Sequence, residues 1–578
     1  MLRISLKIKP NVAAGLNFQK FTYADNMKTS AATSATGPDI TTTDNTSTSR
    51  MKTETAQMVV PKMANISITT DVPASIKLDE QKLSPFDSIP GPHSLRFISK
   101  FWSHVPLLTT EITGGALFQV MNLGKFFAHL LSWGGNAKFF QKFFNVYGPV
   151  VRLHGPFGGD VVLISRPEHA SIVFKNEGSQ SVRAYLDSVE KYRLQHRKLK
   201  QAGPLLMLGS EWEKIQKTLE EPLENSVQHF KTIDSICDQF IDRVFSIRNL
   251  QDEMPKAFKN EILKYCLESV CSIAFKRKLG FLDPTGLSPN SDPGRILDGV
   301  NGAIEAIRKC EYGFHIWKFI ETPSWRSLTK NCDTIDSVLT KYVERIQLNL
   351  RDKKDIKQGD LSLVEHLLLK EDVLVEDVMT VMLDMILVGA TTTAHSVAFL
   401  LYDLAKVPRC QKKLLDEILR QPEDLTIDTL KNMKYLQACI KESMRLNPPI
   451  PILSRILTND TVIHKYKIPK GTYVLVAVHL ACLREEYFED ALKFNPERWL
   501  GQELSPIANE LQNFSYMPYG YGPKSWQAQE LAQMEIGLLI VKLLKKFSVE
   551  YNYGQIESSN AILPNPTKPL KFRFVDRV

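Results

Sequence analysis

The chain has 578 residues, of which 43% are hydrophobic and 24% charged, so it can bury a sizeable core. Its formal charge of +8 comes from Lys and Arg scattered among acids, with no basic run interleaved with aromatics, which argues against a nucleic-acid-binding surface. Eight cysteines, at positions 237, 266, 271, 310, 332, 410, 439 and 482, form no CxxC pair and no regular spacing, so neither a disulfide framework nor a zinc site is expected.

In chain order, residues 1–24 carry Arg3, Lys7, Lys9 and Lys20 with no acid before Asp25, the charge bias of a mitochondrial transit peptide. Leu2 to Ile8 alternates with period two and Pro10 interrupts it, so no helical face forms there. Residues 29–57 are mostly Thr, Ser and Ala and cannot offset the entropy of ordering, so disorder is expected. The hinge-like SIPGP at Ser88 to Pro92 separates an N-terminal segment, 1–85, from a folded domain, 86–578.

Most of that domain has helical periodicity. Asp377 to Asp403 is a long apolar-rich run, and Leu436 to Arg445 puts Leu436, Ile440 and Met444 on one stripe. Pro448 and Pro449 stop this second helix. Thr461 to Val478 predicts short strands with Pro469, Lys470 and Gly471 as the turn, and the terminal LKFRFVDRV predicts another strand. The fold expected is mainly α with small β-sheets, in a single large domain. No stretch reaches the eighteen apolar residues of a transmembrane helix, so any membrane contact would be peripheral.

Three motifs carry the chemistry. KESMR places Glu442 and Arg445 at i and i+3 on the second helix, away from its apolar stripe; alone, such a pair is a surface ion pair worth a few tenths of a kcal/mol. FNPERW follows, with Glu497, Arg498 and Trp499. Next comes PYGYGPKSWQAQELA, whose glycines permit close approach of the backbone and whose trailing helix start favours an anion, a phosphate or a metal-bound thiolate. Yet no Cys lies after Cys482, no His after His479, and the loop itself has no carboxylate before Glu530.

In this order, the motifs resemble those of a cytochrome P-450, and the resemblance runs from SIPGP to the C-terminus. Glu442, Arg445 and Arg498 match the family's Glu-Arg-Arg network behind the haem. PPIPILSRILTNDTVIHKYKIPKGTYV is similar to the strand region of the mitochondrial clan, and Arg455 stands where a haem propionate is contacted. Trp212 in GSEWEKIQ matches the tryptophan of the family's WxxxR helix. The resemblance implies haem as cofactor, an apolar substrate or ligand, a ferredoxin as electron donor, and a location on the matrix side of the inner mitochondrial membrane.

The departures from the family pattern are specific. The haem loop places Tyr519 at its aromatic start, Gly522 at the glycine, Lys524 at the arginine and Trp526 at the axial cysteine. Thiolate donation is what drives O–O cleavage, whereas indole offers only an N–H donor. On the long helix, Thr392 matches the proton-relay alcohol but Thr391 replaces its acid, while Gly389 predicts a local bend and groove. Three consecutive threonines also fit a back-bonded helix segment. Gln216 replaces the arginine of WxxxR, Gln437 a lysine that precedes ExxR, and Gln529 and Glu530 two basic residues of the ferredoxin-docking face, though Lys441 remains. The frame continues correctly into QMEIGLLIVKLLKKF, against a simple frameshift.

Two functions follow. One is a catalytically inactive P-450-fold protein that binds a ligand or a partner, with haem retention set against by the missing thiolate and ferredoxin docking weakened. The other is a haem monooxygenase acting on a sterol-like or other apolar substrate, with haem held by Arg455, Lys524 and the pocket or by an unexpected ligand, of which His395 is the nearest candidate; a packed or exposed helix histidine is its plainer reading.

Overall fold

A computed structural model describes residues 83–92, 137–153, 160–177, 186–207, 209–223, 226–312, 315–318, 320–352, 361–501, 506–522, 525, 528–559 and 563–577. All lie in the compact unit Leu78–Val578; the unit Met1–Lys77, with the transit-like and Thr/Ser-rich segments, is outside the described residues.

The architecture is mainly helical with small sheets, as expected. After α1 (Ala137–Tyr147), strands β1 (Val150–Leu153) and β2 (Val161–Ile164) pair antiparallel. Then follow α2 (Pro167–Lys175), α3 (Asp187–Lys191), α4 (Gly209–Leu223), α5 (Ser226–Ile247), α6 (Phe258–Phe275), α7 (Asp292–Tyr312), α8 (Pro323–Asp352) and α9 (Leu363–Leu368). The long helix α10 (Val375–Lys406) runs through the core, followed by α11 (Pro408–Leu419), α12 (Ile427–Asn432) and α13 (Lys434–Leu446). Strands β3 (Leu453–Ile456), β4 (Thr461–Ile463), β5 (Tyr466–Ile468) and β6 (Tyr473–Val476) come next, then α14 (Val478–Cys482), α15 (Pro506–Ser515), α16 (Gln529–Lys546), β7 (Phe547–Glu550) and β8 (Arg573–Asp576).

One sheet joins the two ends of the domain. Its strand order is β1-β2-β6-β3, and β2 runs parallel to β6 with Val161 opposite Tyr473. The SIPGP segment is fixed against this sheet: Arg152 N donates to Pro90 O at 2.9 Å, and a Cβ on Gly91 would lie 1.9 Å from Arg152 O, so only glycine fits. The strand region has two turns where the sequence predicts one. Besides the turn at Gly471 (φ 83°), His464 at φ 59° joins β4 to β5, and a non-glycine residue in the left-handed region sends no clear sequence signal.

Helix α10 is long and apolar enough to cross a membrane by length and composition, with a mean hydropathy of 1.5, but 83% of that window is buried by protein. It is a core helix, packing against α6, α13 and α16. The irregularity expected at Gly389 is a π-helical turn over Met385–Gly389; Gly389 itself keeps helical φ and ψ of −56° and −58°.

Several ionisable side chains are sealed in this core. Burial pushes the carboxyl of Asp403 (α10) up to about 8 against the hydrogen bond from Ser443 Oγ at 2.7 Å, and burial pushes Glu535 (α16) up to about 8. Burial lowers His395 to about 3 and, with His464 and Arg166 nearby, His169 to about 4. The raised acids hold protons that the unfolded chain releases above its ordinary 3.8 to 4.5, so they weaken folding as pH rises towards 8. The lowered histidines act oppositely, but only below their ordinary 6.5. Above pH 6.5 the acids set the trend until pH nears 8, where Lys259, lowered to about 8 by burial, begins to oppose them, so denaturant titrations should show stability falling from pH 6.5 towards 8, with a shallower slope in Asp403→Asn.

Candidate functional site

The ExxR pair is interior. Glu442 and Arg445 are both 0% exposed, so α13 is buried on the motif's face as well as on the Leu436, Ile440 and Met444 stripe. Arg445 donates from Nε to Glu442 Oε2 at 2.9 Å and from Nη2 to Oε1 at 2.8 Å, a bidentate fork. Its remaining donors reach the carbonyls of Cys482 (2.6 Å), Ala491 (2.7 Å) and Lys493 (3.2 Å). Glu442 also accepts from Arg498 Nε (3.0 Å), Trp499 Nε1 (2.9 Å) and Asn495 N (2.9 Å). Burial alone would raise the Glu442 carboxyl, but the hydrogen bonds and charge of Arg445, with Asn495 and Arg498, hold it below its usual value.

Above α13, a narrow apolar cavity of ≈ 60 Å³ separates α10 from the glycine loop and α16. Thr392, Met444, Arg455, Tyr519 and Ile536 are among its lining residues. Arg455 is 3% exposed; its Nε donates to Glu177 Oε2 at 2.8 Å, Nη1 to Ser454 O at 2.8 Å, and its guanidinium lies 4.7 Å from the centre of the Phe174 ring. Nothing local in the sequence links Glu177 to a residue 278 positions later, so the pairing was invisible there.

Both candidate relay hydroxyls are spent on helix carbonyls. Thr391 Oγ1 donates to Leu387 O at 2.6 Å, and Thr392 Oγ1 to Val388 O at 2.8 Å, the back-bonded arrangement that three threonines in a row allow. The π turn supplies these acceptors. Thr391 and His395 face a second cavity, and Thr392 borders both. His395 is packed, 4% exposed, rather than aimed at the glycine loop.

Trp212, on α4, lines a third cavity with Asp384, Ser525 and Ala528. A buried pair missed by the motif search closes its roof: Arg193 Nη2 donates to Asp384 Oδ1 and Arg193 Nη1 to Ala202 O, each at 2.6 Å, while Leu205 N donates to Asp384 Oδ2 at 3.0 Å. The loop after α3 is thus strapped to α10. Gly203 (φ 83°) permits the approach, because a Cβ there would lie 2.6 Å from Arg193 Nη1.

Gly522 adopts φ 70°, and Ser525 N donates to its carbonyl at 2.9 Å, closing a turn. Lys524 and Trp526 lie outside the described residues. On the neighbouring face, Glu530 pairs with Lys431 at 2.8 Å, Gln437 Nε2 reaches Leu430 O at 3.3 Å, and Lys441 Nζ lies 5.9 Å from the Trp499 ring centre.

An interior Glu-Arg-Arg network thus lies beneath a long helix that faces a glycine loop across a cavity. The family model described as Cytochrome P450 matches residues 117–574. Probable cytochrome P450 301a1, mitochondrial, from Drosophila melanogaster is 28% identical over 507 residues, covering 86% of this chain and 88% of that protein. Cytochrome P450 CYP12A2 from Musca domestica is 31% identical over 456 residues, 74% and 84% of the two chains. Cytochrome P450 302a1, mitochondrial, from Drosophila melanogaster is 27% identical over 477 residues, 80% and 90%. The chain belongs to the cytochrome P450 family, whose cofactor is haem.

The residues present do not fit a haem-thiolate centre. None of the described residues lining the 60 Å³ cavity is a cysteine. Cys482, the last thiol in the chain, donates to Ser515 O at 2.9 Å and is pushed up to about 12 by burial.

The network's contribution to stability is measurable by denaturant unfolding. Arg445→Leu leaves the Glu442 carboxylate buried with only part of its shell and should cost about 3 to 5 kcal/mol. Trp499→Phe removes one hydrogen bond to the same carboxylate and should cost about 1.5 to 3 kcal/mol.

Proposed function

We propose that this is a cytochrome P450-fold protein of the mitochondrial clan that has lost haem-thiolate monooxygenase activity and acts by binding an apolar ligand or a partner. The observation that carries the reading is Trp526 at the axial cysteine position, in a chain with no thiol downstream of Cys482. Three further features support it. The hydroxyls of Thr391 and Thr392 are engaged with helix carbonyls, and Thr391 carries no carboxylate to act as the acid of a relay. The Arg455 guanidinium has a protein carboxylate, Glu177, as its partner. Glu530 pairs with Lys431, so an acid cancels one of the cations that an acidic ferredoxin would need, and Gln437 and Gln529 supply none.

In this reading the protein is mitochondrial, on the matrix side of the inner membrane with at most peripheral contact, and is organised as an N-terminal transit-like segment 1–85 followed by the domain 86–578. The basic, acid-free residues 1–24 and the mitochondrial names of relatives such as 301a1 and 302a1 support that placement. Lys524 and Gly522 are remnants of the haem loop, and Trp212 of the helix that would anchor a propionate.

The competing function is a haem-dependent monooxygenase for a sterol-like or other apolar substrate, fed by a ferredoxin; it is favoured by the retained Glu442, Arg445 and Arg498. The spectrum of the reduced, carbon-monoxide-treated protein, purified after haem supplementation, separates the two. The expected result is no thiolate-type haem band, and such a band would overturn the inactive reading. Trp526→Cys should recover haem binding better than turnover, because Thr391 and Glu530 remain altered.

A further inference from the structure

The cavity of ≈ 110 Å³ on the other side of Thr392 has a chemistry of its own. It is enclosed by the start of α6, the middle of α7, the part of α10 that follows the π turn and the loop 563–566. Leu263, Ile304 and Ala398 give it an aliphatic wall, and its polar lining includes Lys259 and His395 together with Glu305 and Asn565.

His395 is 4% exposed, and neither ring nitrogen has a partner at hydrogen-bonding geometry; the carbonyls of Asn447 and Pro564 are the nearest acceptors. A buried imidazole without partners is costly unless something occupies the space it faces. Lys259 has Asn565 Oδ1 as its acceptor among the described residues. The nearest carboxylate, Glu305, is tied to Arg308 at 3.2 Å and Lys309 at 3.3 Å, so three cations share one acid. Burial and Arg308 lower the Lys259 ammonium to about 8, the direction expected of a cation lacking sufficient counter-charge.

We propose that this cavity binds a small apolar carboxylate, with the carboxylate held between Lys259 and His395 and the hydrocarbon body against Leu263, Ile304 and Ala398. The assignment rests on reading the chain as a ligand-binding protein and names the class of ligand. A carboxylate supplies the counter-charge that Lys259 lacks and accepts the N–H of a neutral His395. The aliphatic walls select the body by area removed from water. An alcohol of the same length keeps the apolar contacts and loses the charge.

The test is calorimetric titration of the full chain at pH 7 with octanoate, and with 1-octanol as its neutral counterpart. Octanoate should bind, and 1-octanol should bind about tenfold or more weakly. Lys259→Met should weaken octanoate binding about tenfold, whereas Lys259→Arg, which keeps the charge, should stay within about threefold of the parent. Equal affinity for the alcohol, an unchanged octanoate affinity in Lys259→Met, or no octanoate binding would each overturn the proposal. Should Lys259→Met fail to fold, His395→Phe decides: about a threefold to tenfold loss supports the site and no loss overturns it. Octanoate binding alongside a thiolate-type haem band would overturn the inactive reading and leave this site standing. Absence of both would overturn the site alone.

Discussion

Everything around the candidate site depends on keeping one carboxylate ionised in the interior. Glu442 is fully buried, and each of its oxygens is saturated by donors from Arg445, Arg498, Trp499 and the backbone of Asn495. Arg445 in turn gathers carbonyls from three points between residues 482 and 493. A stretch with little regular structure is thereby held against α13 by charge-assisted bonds rather than by a ladder. Such a network tolerates no half measures, because a buried charge missing a partner costs several kcal/mol. This gives a physical reason for ExxR and PERW to persist whether or not the chemistry they once backed persists.

The other side of α10 follows a different logic. The π turn at Met385–Gly389 frees carbonyls from the regular helix ladder, and in this chain Thr391 and Thr392 cap them. Asp384, at the edge of that turn, is committed to Arg193 and to the backbone of Leu205. The two threonine hydroxyls and the Asp384 carboxylate are therefore all engaged in structural bonds. Arg455 and Glu177 repeat the pattern at the far wall, a cation neutralised from within the fold. These groups are satisfied locally, while in the neighbouring cavity Lys259 has an amide oxygen as its acceptor and the ring nitrogens of His395 have no hydrogen-bond partner.

Legibility in the sequence tracked locality. The long apolar run gave α10, the i, i+4 stripe gave α13, and the alternation after Thr461 gave β4 to β6, because each pattern repeats within a few residues. The second turn at His464 was not legible, since a histidine in the left-handed region is held there by its neighbours rather than by its own preference. The interior position of the ExxR pair was not legible from the helix either. On an isolated helix it is a solvated ion pair, and only packing by residues 482–499 buries it.

The sequence by itself determined the family motifs, the tryptophan at position 526 and the lack of a cysteine after Cys482, because these are matters of residue identity. It also determined the three consecutive threonines at 391–393. What tertiary structure alone decided were the partners of charges far apart in the chain: Glu177 with Arg455, Arg193 with Asp384, Lys431 with Glu530, and Lys259 with the amide of Asn565. Side-chain electrostatics act through space, so the protonation and availability of these groups are set by burial and contact, which sequence separation does not encode.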